Sequence, residues 1–261
     1  MLTEQSFVSL YGAERIKRKA ANVSWAFFRP VKTVEIAEEA GEDIIPHAIA
    51  QVSAKPYCVV FPLRFSGSAA SYIEQNPGVL VIILEGRHQY RRTNTGLFIY
   101  KTDIEADFYR AGLAAAVISK DKTGNVAVFI EPRQFSSYRE LTRPAFSRGM
   151  EECESAREIK FYSSLAEMPA NTGLSCVVLA GTAYDYLDKK EEVPVIVFSW
   201  LDPSLMPRDA VLVIDDSPWA QLKEAVSMAE AGEERGLIKS EISILSKNFN
   251  RRILQKLRQI R

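Results

Sequence analysis

Two histidines, His47 and His88, are the chain's imidazole bases, and neither stands at motif spacing from a nucleophile. His47 follows Pro46 at an expected helix start, and His88 lies in a polar loop with Arg87, Arg91 and Arg92. Both read as surface or structural side chains before catalytic ones. There is no Gly-x-x-x-x-Gly-Lys-Ser/Thr loop for phosphate, no Gly-x-Gly-x-x-Gly, no Gly-x-Ser-x-Gly elbow and no His-Glu-x-x-His pair. Cys58, Cys153 and Cys176 are an odd number without Cys-x-x-Cys spacing, and they read as small buried hydrophobes. No catalytic residue, metal ligand or cofactor is expected. An α/β hydrolase or transferase with an Asp or Cys nucleophile is the weakest reading, because such a nucleophile needs a base beside it.

What remains is recognition of a small molecule. Phe7, Phe65 and Trp200 offer flat faces to a base or a sugar ring, and Asp103, Asp202 and Asp216 can accept hydrogen bonds from hydroxyls or an amine. Arg64 and Arg133 suit a carboxylate or phosphate. Ser6, Glu85, Thr182 and Tyr184 join them by position. Each of these residues lies at a helix start or just after an apolar run, and parallel α/β sheets bind ligands beyond the carboxyl ends of their strands. The bland reading stands beside this one: aromatics at strand ends are more often core caps, and Asp216 can serve only to help Ser217 cap a helix.

The elements that must hold these side chains follow from hydrophobic patterning. Expected strands are 23–28, 57–61, 79–84, 97–100, 125–130, 159–162, 175–179, 193–198 and 211–214, mostly continuous rather than alternating, as in parallel strands covered on both faces. Helices are predicted over 6–20 and 104–119. Two Ser/Thr caps with a following proline predict further helices, Thr142 before Pro144 and Ser217 before Pro218. This alternation predicts an α/β protein. The polar break Lys120 to Gly124 reads as a crossover, giving two Rossmann-like lobes joined by a hinge: 1–120 plus 216–235, and 121–215 plus 236–261.

The run Asp103-Ile-Glu-Ala-Asp-Phe-Tyr-Arg-Ala-Gly-Leu-Ala-Ala-Ala116, followed by Lys122-Thr-Gly-Asn-Val-Ala-Val-Phe129, resembles the basic membrane protein family. Phe146-Ser-Arg-Gly-Met150, Ala180-Gly-Thr-Ala-Tyr184 and Val195-Ile-Val-Phe-Ser199 leading to Asp202 extend the resemblance over most of the chain. Members of that family are solute-binding lipoproteins of ABC importers, several of which take purine nucleosides, built on the type I periplasmic-binding fold. The resemblance implies a nucleoside-like or sugar-like ligand between two parallel-sheet lobes, a membrane permease as partner, and a periplasmic or lipid-anchored location. Three departures stand out, one being that the basic residue expected after the last strand of the second lobe falls near Asp215 and Asp216. Ala106-Asp107-Phe108 occupies the place of the family's Glu-Gly-Ser, and no strand is legible before Gln5-Ser6-Phe7, so the first strand reads as missing.

Composition narrows the alternatives. With 33 basic and 33 acidic side chains the chain lacks the basic excess of a nucleic-acid binder, and a monomer is expected. The longest apolar runs fall far short of the roughly 20 residues of a spanning helix. No signal sequence is legible, which implies removal of a leader or a cytoplasmic location. In the latter case the chain reads as a ligand-sensing domain of a regulator. The segment 247–261 is basic and amphipathic. Packing of Phe249, Ile253, Leu257 and Ile260 on the second lobe is expected ahead of contact with an anionic membrane or an acidic partner.

Overall fold

Apolar β-rich runs alternate with helices along the chain, and the computed structural model describes all residues except Glu38, 87–95, Ala156, 169–172, 182–192, Trp200, 202–205, 207–209, 246–248, Asn250 and Arg261, and the side chain of Glu42. In chain order the elements are β1 (Leu2–Glu4), α1 (Gln5–Tyr11), α2 (Ala13–Phe27), β2 (Val34–Ile36), α3 (Ile45–Val52), β3 (Cys58–Pro62), α4 (Ser66–Gln75), β4 (Leu80–Gly86) and β5 (Leu97–Thr102). They continue with α5 (Ile104–Ser119), β6 (Asn125–Ile130), α6 (Pro132–Phe135), α7 (Arg139–Glu152), β7 (Ile159–Tyr162), β8 (Leu174–Ala180), β9 (Val195–Phe198) and β10 (Ala210–Asp215). The last are α8 (Pro218–Glu230), β11 (Arg235–Ile238), β12 (Glu241–Ile244) and α9 (Arg251–Gln259). Among the described residues, no helix is long and apolar enough to cross a membrane.

The chain divides into two units, Met1–Thr102 with Ser217–Ile238, and Asp103–Asp216 with Lys239–Arg261. It therefore passes from one to the other at 102/103, 216/217 and 238/239. The expected boundary at Lys120 moves to Asp103 because α5 belongs to the second unit. Its Phe108, Ala111 and Ala115 share a buried cluster with Val126, Phe146 and Val178.

In the first unit, β11, β5, β4 and β3 form a parallel sheet in that order, and β1 pairs in parallel with β2 through Leu2↔Val34. Leu2, Val34, Ile45, Phe61 and Ile83 build its core. The first strand is thus present, and its three residues are too few to show a period. The strand expected at 23–28 is instead the end of α2, where Val23 stays buried while Trp25 and Phe28 face solvent. The helix-forming run before it carries the helical turn through this apolar stretch, and Phe28 ends it in the left-handed region (φ 51°). The single helix expected over 6–20 is broken in two at Gly12, whose φ of 94° suits a residue without Cβ.

The second unit has a six-stranded sheet in the order β12-β10-β9-β8-β6-β7, parallel except that β12 runs antiparallel to β10. α5 lies against α7 so closely that a Cβ on Gly112 would run into the Phe146 carbonyl, and one on Gly149 into the Tyr109 carbonyl. Thr142 does not cap a helix. The short turns 132–138 lead straight into α7, so Pro144 lies inside it and the Thr142 hydroxyl donates to the Arg139 carbonyl at 3.4 Å. Ser217 does cap α8, accepting from the Ala220 N–H at 3.2 Å. In α9, Leu257 is buried, and Phe249, Ile253 and Ile260 pack on the unit's core, leaving the basic face outward.

Candidate functional site

Parallel strands bring their carboxyl ends to one edge of the sheet, where the next segment starts and polar side chains can gather. In the first unit, Glu4 ends β1 and Arg64 follows β3, and their side chains meet at 2.8 Å. The Arg64 side chain is 42% exposed, with its guanidinium carbon 5.6 Å from the Phe65 ring centre. Phe65 itself is 2% exposed. A helical turn over Leu63–Phe65 brings its ring into the core, which covers the face expected to stack on a ligand. Phe7 is half-buried in α1 and stacks on Tyr11 at 4.9 Å, while the Arg15 guanidinium lies 4.1 Å from the Tyr11 ring. At the end of β4, Glu85 is buried with its carboxylate 3.4 Å from the Lys101 ammonium. Thr102, last in β5, accepts a hydrogen bond from the Gln221 amide at 2.8 Å.

In the second unit, Asp103 caps α5 by accepting from the Ala106 N–H at 3.0 Å. Arg133 stands exposed in α6, just beyond β6. Glu131 reaches toward the end of β8, its N–H donating to the Ala180 carbonyl at 2.9 Å, and Gly181 takes φ 123° where a Cβ would meet the Glu131 side chain. After β9, the Ser199 hydroxyl accepts from the Leu201 N–H at 3.1 Å. Asp216 is half-buried after β10. Thr182, Tyr184, Trp200 and Asp202 lie outside the described residues, as does His88. Among the described residues, Arg64 is brought into contact with Glu4, which sequence reasoning did not nominate. Glu131 and Ser199 were likewise missed, although both follow strands that were read correctly.

A buried polar cluster was missed as well. Asp107, 1% exposed on α5, accepts from the Ser240 N–H at 3.0 Å, from the Ser240 hydroxyl, and from the Arg110 guanidinium at 3.1 Å. Arg110 also donates to the carbonyls of Ser240 at 3.0 Å and Ile260 at 3.2 Å. Burial pushes the Asp107 carboxyl up to about 7, against the opposing pull of the Ser240 hydrogen bonds and of Arg110. The cluster pins the start of α5 to the chain at its third crossing, which is a positioning task. An Asp-x-x-Arg pair inside an otherwise apolar, Ala-rich helix was the available signal.

Among the described residues, no group of three or more His, Cys, Asp or Glu could hold a metal ion. His47 is exposed, with its ring nitrogen 2.9 Å from the Gln51 amide one turn on. Burial pushes the thiols of Cys58 and Cys176 up to about 12, so they remain protonated.

No protein-family model matches the chain, and no curated protein does. Solved structures do. The chain is similar to an ABC transporter solute-binding protein from Conexibacter woesei, at 12% identity and a TM-score of 0.58 over 99% of this chain and 94% of that one. It is similar to a transcriptional activator of the comK gene from Bacillus halodurans, at 13% identity and a TM-score of 0.57 over 99% and 94%. A sugar-binding protein of a sugar ABC transporter from Bacillus halodurans gives 13% identity and a TM-score of 0.54 over 94% and 96%. At these identities the likeness establishes the fold, a type I periplasmic-binding fold with parallel sheets in two α/β units.

Proposed function

We propose that the protein binds a small polar solute, nucleoside-like or sugar-like, through residues at the carboxyl ends of the strands in both units, and delivers it to the membrane permease of an ABC-type importer. The observation that carries this reading is the fold: two parallel-sheet units in one chain, connected by three crossings, in an architecture that includes solute-binding proteins. The polar side chains at the strand ends support it, with Arg64, Arg133, Asp103 and Asp216 supplying donors and acceptors for hydroxyls, amines or an anionic group. The order of motifs from Asp103 to Ser199 is what favours the basic membrane protein branch, and with it a nucleoside and a periplasmic or lipid-anchored location. The chain segments at 102/103, 216/217 and 238/239 are the places for a hinge, biased by contacts that only the bound state makes.

A second reading, a ligand-sensing domain of a regulator, draws on the equal likeness to the comK activator. Both readings require a solute, so the first test is common to them. Melting temperature is followed in the presence of individual nucleosides, sugars and amino acids. A solute at about 100 times its Kd adds about 2.7 kcal/mol, and for a chain of this size that raises Tm by roughly 5 °C or more. Arg64→Ala and Arg133→Ala should each reduce the shift. No shift with any member of the panel contradicts both readings. Retention of a permease by the solute-loaded protein separates the importer from the regulator.

A further inference from the structure

In the first unit, where β1, β2 and β3 begin, lies a cavity of about 340 Å³. Met1 precedes β1, Val34 opens β2 and Cys58 opens β3, and all three line it. Its walls are apolar, built from Val23 and Phe27 of α2, Ile49 and Val52 of α3, and Leu222 and Val226 of α8. The volume lies at the lower end of the roughly 300–1,000 Å³ of small-molecule sites, which are lined mainly by apolar side chains with a few polar groups to fix orientation.

The charged groups lining this cavity are all of one sign. Arg29, Lys32 and Lys55 line it and no acidic side chain does. Two of the three cations are engaged. Arg29 pairs with Glu230 at 2.6 Å and its guanidinium carbon lies 3.6 Å from the Tyr57 ring centre. Lys32 donates to the Val52 carbonyl at 2.8 Å. Lys55 is exposed and has no hydrogen-bond or ion-pair partner among the described residues. An apolar chamber beside a free ammonium is complementary to a molecule with an apolar body and one negative head.

We infer that this cavity binds an amphipathic carboxylate, its apolar chain among Phe27, Ile49, Val52 and Leu222 and its carboxylate on Lys55. The site is separate from the polar-solute site proposed above, because its lining comes from strand starts rather than strand ends. Apolar surface removed from water supplies the affinity, and the Lys55 charge supplies the selection against neutral and cationic chains.

Calorimetric titration of the full chain with decanoate, kept below its micelle-forming concentration, tests this against decanol and decylammonium. One saturable site for decanoate is expected, with decylammonium at least about tenfold weaker. Lys55→Glu, a change at an exposed side chain, should weaken decanoate by at least about tenfold and reverse the preference toward decylammonium. Ser53→Phe places a ring in the cavity and should abolish saturable binding. Circular dichroism and Tm verify that each variant is folded. The inference is overturned if decanoate shows no saturable binding, if the three chains bind alike, or if folded Lys55→Glu retains the decanoate affinity. None of these outcomes depends on whether a polar solute binds at the strand ends.

Discussion

Asp107 carries the clearest consequence of a single side chain. Its folded-state carboxyl, raised to about 7 from an ordinary 3.8, binds a proton over a range where the unfolded chain does not. The group's contribution to stability is therefore fully present below about pH 4 and is lost as pH rises through about 7. Asp107→Asn keeps the shape and removes the titration. The variant should show a flatter dependence of Tm on pH between about 4 and 7 than the parent, and parallel profiles would contradict the assignment. The same residue shows what sequence reading reaches and what it does not. The Asp-x-x-Arg spacing is visible in the sequence, but the Ser240 partner is 133 positions away and only the folded chain brings it there. Arg64 was nominated from its place after an apolar run, whereas its Glu4 partner stood in a strand too short to read. Phe65, nominated for an aromatic face, turned inward because of one local helical turn, which residue type does not encode.

At the scale of elements, α5 and α7 of the second unit lie in close backbone contact. Gly112 and Gly149 let the two backbones approach until a Cβ at either position would strike the partner's carbonyl. Gly149→Ala should cost about 1–3 kcal/mol by overpacking, despite alanine's better helix propensity. Thermal unfolding checks this, and an unchanged or raised Tm would show that the helices can part without loss. Elements with strong local signals were legible: α5 was read to the residue from its apolar stripe, and β6 and β7 matched their apolar runs. Weak or conflicting signals failed. β2, β11 and β12 have three or four residues each, with exposed polar positions among them, too short for periodicity to rise above background. The run at 23–28 is apolar and aromatic, which suits a strand and the end of a helix equally, and helical propagation from Ala13 decided it.

For the molecule as a whole, alternation of strand and helix was enough to give the α/β class, because that pattern is spread over the entire chain, whereas the division in two was read from the polar break Lys120 to Gly124. The boundary at Asp103 was not legible. It depends on which core receives α5, and small residues at Gly112 and Ala114 to Ala116 would pack on either sheet. The site was less legible than the fold for a related reason: strand ends can be located by pattern, but which of their side chains face a ligand depends on loops that carry no period. Hydrogen exchange of the full chain, alone and with a pooled panel of nucleosides, sugars and amino acids, tests the central claim most directly. Slowed exchange at the strand ends of both units is predicted, near 62–66, 131–136 and 215–217. Exchange unchanged by the panel, or slowed only at the strand starts, would contradict it.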